Sequence, residues 1–111
     1  MEINVSKKDR FNGMNSASKA EDFINAPFVI KGLFTFEDDV LNKETGEINT
    51  ATLVCIITDE GKAISSPSKT LVDSVSKLVE AYGEDEVIGV EAMITANKSN
   101  ANRTFYRLEL V

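Results

Sequence analysis

Hydrophobic and polar positions fall into two regimes along this chain. Before Pro27 the apolar residues Ile3, Val5, Phe11, Met14, Phe23 and Ile24 are scattered through a Ser-, Asn- and Lys-rich stretch. Gly13, Asn15 and Ser16 interrupt any helical period there. Residues 1–26 therefore predict an N-terminal arm, partly flexible, with a short strand near Ile3 to Val5 and a turn of helix near Lys19 to Phe23. From Pro27 the pattern becomes regular. Phe28 to Phe36 is apolar, aromatic and β-branched and predicts a first strand, with a bend or bulge at Gly32. Glu37 to Asn49 is polar, and its Glu-Thr-Gly predicts a turn. Thr50 to Thr58 predicts a second strand, Asp59 to Lys62 a tight hairpin connection, and Lys62 to Ser65 a short third strand. Leu71, Val75, Leu78, Val79 and Tyr82 then share one face of an α-helix. Ser66-Pro67 fits its start and Gly83 its stop, so the helix is expected over 67–82. Val87 to Ala96 predicts a fourth strand, Asn97 to Asn102 a loop, and Arg103 to Val111 a fifth strand.

The resulting order, β-β-β-α-β-β, is that of the oligonucleotide/oligosaccharide-binding (OB) fold, a five-stranded Greek-key barrel. The expected class is all-β with one helix, with the arm over 1–26 and the barrel over 27–111. A curved first strand can serve both halves of such a barrel, and a helix with one apolar stripe can plug its open end. Another small barrel or an α+β roll would also take these elements. An Ig-like sandwich lacking strands fits poorly, because of the helix. Strand parity places Tyr106, Leu108 and Leu110 towards the core and Arg103, Phe105, Arg107 and Glu109 away from it. In the second strand, Leu53, Cys55 and Ile57 alternate with Thr52, Val54 and Ile56, so both faces are apolar. Phe28, Ile30, Phe34 and Phe36 share a face only if Gly32 carries no bulge. Cys55 fits a small buried hydrophobe.

Composition narrows the chemistry. The 111 residues hold one cysteine and no histidine, which excludes an internal disulfide, a Cys/His zinc site and His-dependent nucleophilic catalysis. No Gly-rich phosphate loop is present, and no apolar run approaches the length of a membrane span. Met1 leads into a polar stretch, so no secretory signal is expected. The acidic runs Glu37-Asp38-Asp39 and Glu84-Asp85-Glu86 could do acid–base work or hold a hard cation, but beside turn residues they fit solvated loops better. No enzyme and no cofactor is expected.

The net charge of −6 argues against a simple basic nucleic-acid binder, but charge is unevenly spread. Residues 1–20 carry Lys7, Lys8, Arg10 and Lys19 against Glu2 and Asp9. Residues 95–107 carry Lys98, Arg103 and Arg107 with no acid. Single-strand binders combine a positive groove with aromatic stacking platforms. The candidate binding residues are Lys31, Phe34, Lys62, Lys69, Lys98, Arg103, Phe105 and Arg107, with Asn97, Asn100 and Asn102 as hydrogen-bonding groups. Bases would stack on Phe105 and on a first-strand phenylalanine such as Phe34. Phe105 could equally pack under the arm or a partner. Glu37, Asp38, Asp39, Glu44 and Glu47, opposed only by Lys43, would repel phosphates. Either the strand avoids that side or that loop meets another protein.

Three stretches carry a resemblance over about residues 27–111. They are T-A-T-L-V-C-I-I-T-D-E-G-K-A-I-S-S-P-S-K-T, the helix L-V-D-S-V-S-K-L-V-E-A-Y-G, and the closing R-T-F-Y-R-L-E-L-V. Together they resemble the small single-stranded DNA-binding proteins of phages and conjugative elements of Gram-positive bacteria. The resemblance implies an OB fold and sequence-tolerant binding of single-stranded DNA, with RNA as the alternative strand. It implies a role in replication, recombination or transfer in the cytoplasm of the bacterial host. It also implies more than one subunit along the strand, and the composition of residues 1–26 fits an arm reaching a neighbour in a homo-oligomer; no membrane partner is expected. The chain departs from cellular single-strand binders in closing on its fifth strand without an acidic tail, so recruited partners would meet its acidic loops or arm. The other functional reading is an OB-like protein–protein interaction module, such as a phage accessory or inhibitory factor, that uses the acidic surface.

Overall fold

The computed structural model describes residues 1–42, 44–100 and 103–111. In chain order its elements are β1 (Glu2–Ile3), α1 (Lys7–Ser16), β2 (Ser18–Lys19), a 3-10 helix (Ala20–Phe23), β3 (Phe28–Leu41), β4 (Ile48–Thr58), β5 (Ala63–Ser66), α2 (Lys69–Tyr82), β6 (Glu91–Lys98) and β7 (Thr104–Leu110). The class is mixed α/β with two helices, which corrects the expectation of an all-β chain with one. Lys43, Ala101 and Asn102 lie outside the described residues, so the expected roles of Lys43 and Asn102 lie outside them too.

β3 organises the sheet. It pairs antiparallel with β4 along most of its length. On its other edge it pairs with β6 at Phe28 and Val29 and with β1 at Leu33 and Phe34. β4 pairs with β5, and β6 with β7, both antiparallel, while β2 adds to β5 in parallel. The strand path is β2-β5-β4-β3-β6-β7, curled into a half-barrel. Among the described residues β5 and β7 do not pair, so closure into an OB barrel is not shown. β5 is four residues long and ends before Pro67, which has no N–H to extend a ladder. The free edge of β7 meets α2 instead, where the Thr70 hydroxyl donates to the Tyr106 carbonyl at 2.7 Å.

The register of β3 against β4 shifts between Ile30 and Gly32, a bulge that switches which face the following side chains occupy. Phe28, Ile30 and Leu33 join Val54, Ile56, Ile64, Leu71, Val75 and Ile94 in the larger core. Phe34 and Phe36 pass to the other face and pack with Leu53, Cys55 and Ile57. β4 is thus buried on both sides, as its two apolar faces require. At the bulge, β1 approaches so closely that a Cβ on Gly32 would lie 2.8 Å from the Asn4 carbonyl oxygen.

Several boundaries differ from the sequence expectation. β3 and β4 continue through the polar stretch, so Glu37, Asp38 and Asp39 are strand residues, with Asp39 opposite Thr50 and accepting from its hydroxyl at 3.1 Å. α2 starts later than expected. Ser68 is the N-cap, its Oγ accepting from the Leu71 N–H, and Pro67 precedes the cap instead of opening the helix. Gly83 ends it as expected. β6 starts at Glu91, because residues 83–90 turn on hydrogen bonds from Val87 N–H to the Gly83 carbonyl and from Gly89 N–H to the Ile30 carbonyl. That turn delivers Val87 into the core.

The largest departure is α1. Ser6 and Asp9 form a capping box, with Asp9 N–H donating to Ser6 Oγ at 3.0 Å and Ser6 N–H to Asp9 Oδ2 at 3.4 Å. The helix has no apolar stripe and buries only Gly13. The missing side chain lets its backbone lie directly over Phe34 and Cys55. Gly13 thus interrupts the helical pattern in the sequence and makes the contact that seats the helix.

Two tests follow from this packing. In an exposed helix Gly→Ala gains about 1 kcal/mol. A Cβ on Gly13 would instead lie 2.7 Å from Cys55 Sγ and from the Phe34 ring, and overpacking costs about 1–3 kcal/mol. Gly13→Ala is expected to lower the denaturant midpoint, and Asn12→Ala, at an exposed position, to leave it level or higher. A Gly13→Ala protein as stable as the parent would show that α1 does not sit this close. Burial pushes the Cys55 thiol up from 9.0 to about 12; a backbone hydrogen bond at Ile64 opposes the rise and the Asp9 charge adds to it. The folded state therefore favours the neutral thiol. This contribution to stability is intact below pH 9 and is lost as pH rises from about 9 towards 12, while the unfolded chain ionises. Unfolding titrations at pH 8 and pH 10 should show the loss, and Cys55→Ala should flatten the slope.

Candidate functional site

The β6–β7 hairpin and the first turns of α2 build the site. Phe105 and Arg107 fall on one side of β7, with Arg103 at the matching alternate position just before it, and the register sets Phe105 opposite Asn97 and Arg107 opposite Thr95. The other side of β7 turns Tyr106 and Leu108 against the larger core. β7 thus anchors through alternate residues and presents the rest. α2 lies along the strand because Leu71 and Val75 are fully buried. That places Lys69 and Thr70, in its first turn, beside the exposed side of β7.

Between these elements lies an open cleft of about 530 Å³, lined by Ser66 to Thr70 on one wall and by Ser99, Arg103, Thr104, Phe105 and Tyr106 on the other. It occupies the gap that a β5–β7 pairing would close. A smaller cleft of about 280 Å³ continues along Thr70, Asp73, Ser74, Lys77, Phe105 and Arg107. Phe105, half-buried, forms the ridge between the two. The first turn of α2 has no acidic residue, so its N-terminal field, with Lys69 and Arg103, favours an anion. Asp73 is the acid inside the pair of clefts. Arg103 is also held at 3.1 Å by Glu44 from the β3–β4 turn. Both partners are largely exposed, so the bridge is weak and exchangeable.

The structure brings together four of the eight residues expected from the sequence: Lys69, Arg103, Phe105 and Arg107. The other four lie elsewhere. Phe34 is 0 % exposed, beneath Gly13, with the Arg10 guanidinium 5.5 Å from its ring centroid. Its ring presents no face to a base, because the bulge at Gly32 turns it under α1. Lys31 lies beside Glu2, Asn4, Ser6 and Asp9, where the acids offset its charge. Lys62 lies 3.7 Å from the Glu60 carboxylate and 5.8 Å from the Phe23 ring centroid. Lys98 pairs in register with Thr104, on the opposite face of the hairpin from Phe105. Asn97 and Asn100 are exposed.

Sequence reasoning missed Thr70, Lys77 and Tyr106. The first two had a signal: Thr70, Asp73, Ser74 and Lys77 are spaced i, i+3, i+4, i+7, a polar stripe beside the apolar one. Tyr106 was assigned to the core, where it packs in part, yet it also lines the larger cleft. Among the described residues no three His, Cys, Asp or Glu side chains gather to hold a metal ion, and no helix is long and apolar enough to cross a membrane. The arrangement offers a cationic, aromatic surface for reversible binding.

No curated protein and no solved structure matches the chain. A protein-family model does: the one described as Phage Single-stranded DNA-binding protein matches residues 7–111.

Proposed function

Because the chain belongs to the phage single-stranded DNA-binding protein family, we propose that the single strand lies across the α2–β7 surface, with a base stacked on Phe105. The family is one of binding proteins, not enzymes, so this surface has only to hold the strand and let it go. The observation that carries the proposal is the alternation Arg103-Phe105-Arg107 on one side of β7, beside Lys69 in an acid-free helix turn. Phosphates would meet Lys69, Arg103 and Arg107, with Lys77 further along α2. Every base has a π-face, so stacking is tolerant of sequence, and backbone contacts carry no sequence information.

We propose that the half-barrel is an opened OB fold. The pairings β3–β4, β4–β5, β3–β6 and β6–β7 follow the Greek-key OB order, and OB barrels are partly open. In that reading residues 27–111 are an opened OB unit and residues 1–26 an appended segment. The biological reading is a protein that coats exposed strands during phage or plasmid DNA replication, recombination or transfer in the bacterial cytoplasm, with more than one copy along a strand. Lys69, Lys77, Arg103 and Arg107 are the cations that would face the strand there, so the salt dependence is expected to be shallow, about 0.7 per neutralised phosphate.

Titration into fluorescent oligo-dT at two salt concentrations, with duplex DNA as control, tests the surface. Phe105→Ala is expected to weaken binding about 5- to 150-fold, the range of one stacked base, and Arg107→Ala to lower the salt slope by about 0.7. Unchanged binding by both variants, with loss on Lys31→Ala or Lys62→Ala, would move the strand to another face. Glu44→Gln frees Arg103 and should tighten binding at low salt; an unchanged affinity would show that the carboxylate does not compete with phosphate.

A further inference from the structure

We infer that the outward face of α1 is a second contact for the single strand, a reading that rests on the single-strand function proposed above. Gly13 faces the sheet. At 3.6 residues per turn the opposite side of the helix carries Phe11 and Asn15, flanked by Lys7 and Lys8. All four are exposed, and Phe11 is 65 % exposed. Phe11 does not seat the helix, because Gly13 and the pairings of β1 and β2 do that. Nor is it isolated, since Met14, one turn on, is 47 % exposed.

The charges on α1 sort in the same direction. Arg10 is engaged, 3.5 Å from Glu2 and over the Phe34 ring. Asp9 turns back to the N-cap, where it accepts from Ser6 N–H. Lys7 and Lys8 have no ion-pair partner among the described residues. The outward face thus combines two cations, an aromatic ring and an amide, and it holds no carboxylate in a chain with 18 acidic residues. Arg103, Phe105, Arg107 and Asn97 repeat that combination on the β6–β7 hairpin.

A groove also links the C-terminal end of α1 to the α2–β7 cleft. It is about 510 Å³ and runs from Ala17 and Lys19, just after α1, to Ser66, Pro67 and Tyr106, which line the α2–β7 cleft as well. Glu21 and Asp39 also border this groove, and Lys19 is the cation in it. Exposed cations flanking an exposed ring match phosphates and bases, and α1 adds about 15 Å to the path.

The test uses the full chain with oligo-dT of two lengths, about 6 and about 20 nucleotides, within and beyond the range of OB-type sites. Phe11→Ala is expected to bind the short strand like the parent and the long strand at least about fivefold more weakly. Phe11→Tyr should keep the parental affinity. The double variant Lys7→Ala, Lys8→Ala should lower the salt slope on the long strand by about 1.4. These side chains are exposed, so melting curves should be unchanged. Phe105→Ala in the same titration separates the two readings. Loss with Phe105→Ala but none with Phe11→Ala or the lysine variant overturns this inference alone, and loss with none of them overturns both. A changed sedimentation coefficient of DNA-free Phe11→Ala would make this face a contact between copies, and the inference would fail.

Discussion

The register shift between Ile30 and Gly32 in β3 is the constraint on which the rest of the fold depends. A regular strand would have put Phe28, Ile30, Phe34 and Phe36 on one face. The bulge divides them, so that the strand feeds two cores and bends far enough to pair with β6 at one end and β1 further along. The bend needs a residue without a side chain, because the Asn4 carbonyl fills the space a Cβ would take. The Asn4 side-chain amide then donates to the Lys31 carbonyl at 2.8 Å, which ties the N-terminal segment to the same point. The second core would lie open without a cover. α1 supplies it, and can lie close only because Gly13 presents backbone to the sheet.

The proposed binding surface is a consequence of what does not close. β5 stops at Ser66, Pro67 cannot extend it, and β2 takes its outer edge. The edge of β7 is left to α2, which satisfies it in part through the Thr70 hydroxyl. The gap between β5 and β7 becomes a cleft that has a helix N-terminus on one wall and an Arg-Phe-Arg alternation on the other. The core-facing residues of α2 and β7 hold Lys69, Thr70, Phe105 and Arg107 in these walls, and Pro67, Ser68, Ser99 and Arg103 border them from the adjoining connections.

An acidic chain that belongs to a DNA-binding family has to manage its own field. Local charge does this in part by position: eight of the 18 acids lie on the β3–β4 hairpin and the turn at residues 83–90, while α1 carries Lys7, Lys8 and Arg10 against Asp9, and Arg103 and Arg107 flank Phe105. Where the two meet, at Glu44 and Arg103, the pair is exposed and weak. In the proposed binding mode a phosphate would displace it at little cost.

Local pattern by itself determined the five strands of the 27–111 region, the apolar stripe of α2 with its Gly83 stop, the burial of β4 on both faces, and the alternation of Arg103, Phe105 and Arg107 on β7. These depend on periods of two and 3.6 residues that any nearby core would read in the same way. The capping box at Ser6 and Asp9 was also present in the sequence, but Gly13 and the absence of an apolar stripe concealed the helix it starts. Only the tertiary structure decided that Phe34 is covered, that Lys31 and Lys62 face other neighbours, and that β5 and β7 stay apart. Each of these depends on contacts between segments distant in sequence, and one rests on a glycine whose role is to be absent. Periodicity reports which side of an element is apolar; it does not report what comes to lie on that side.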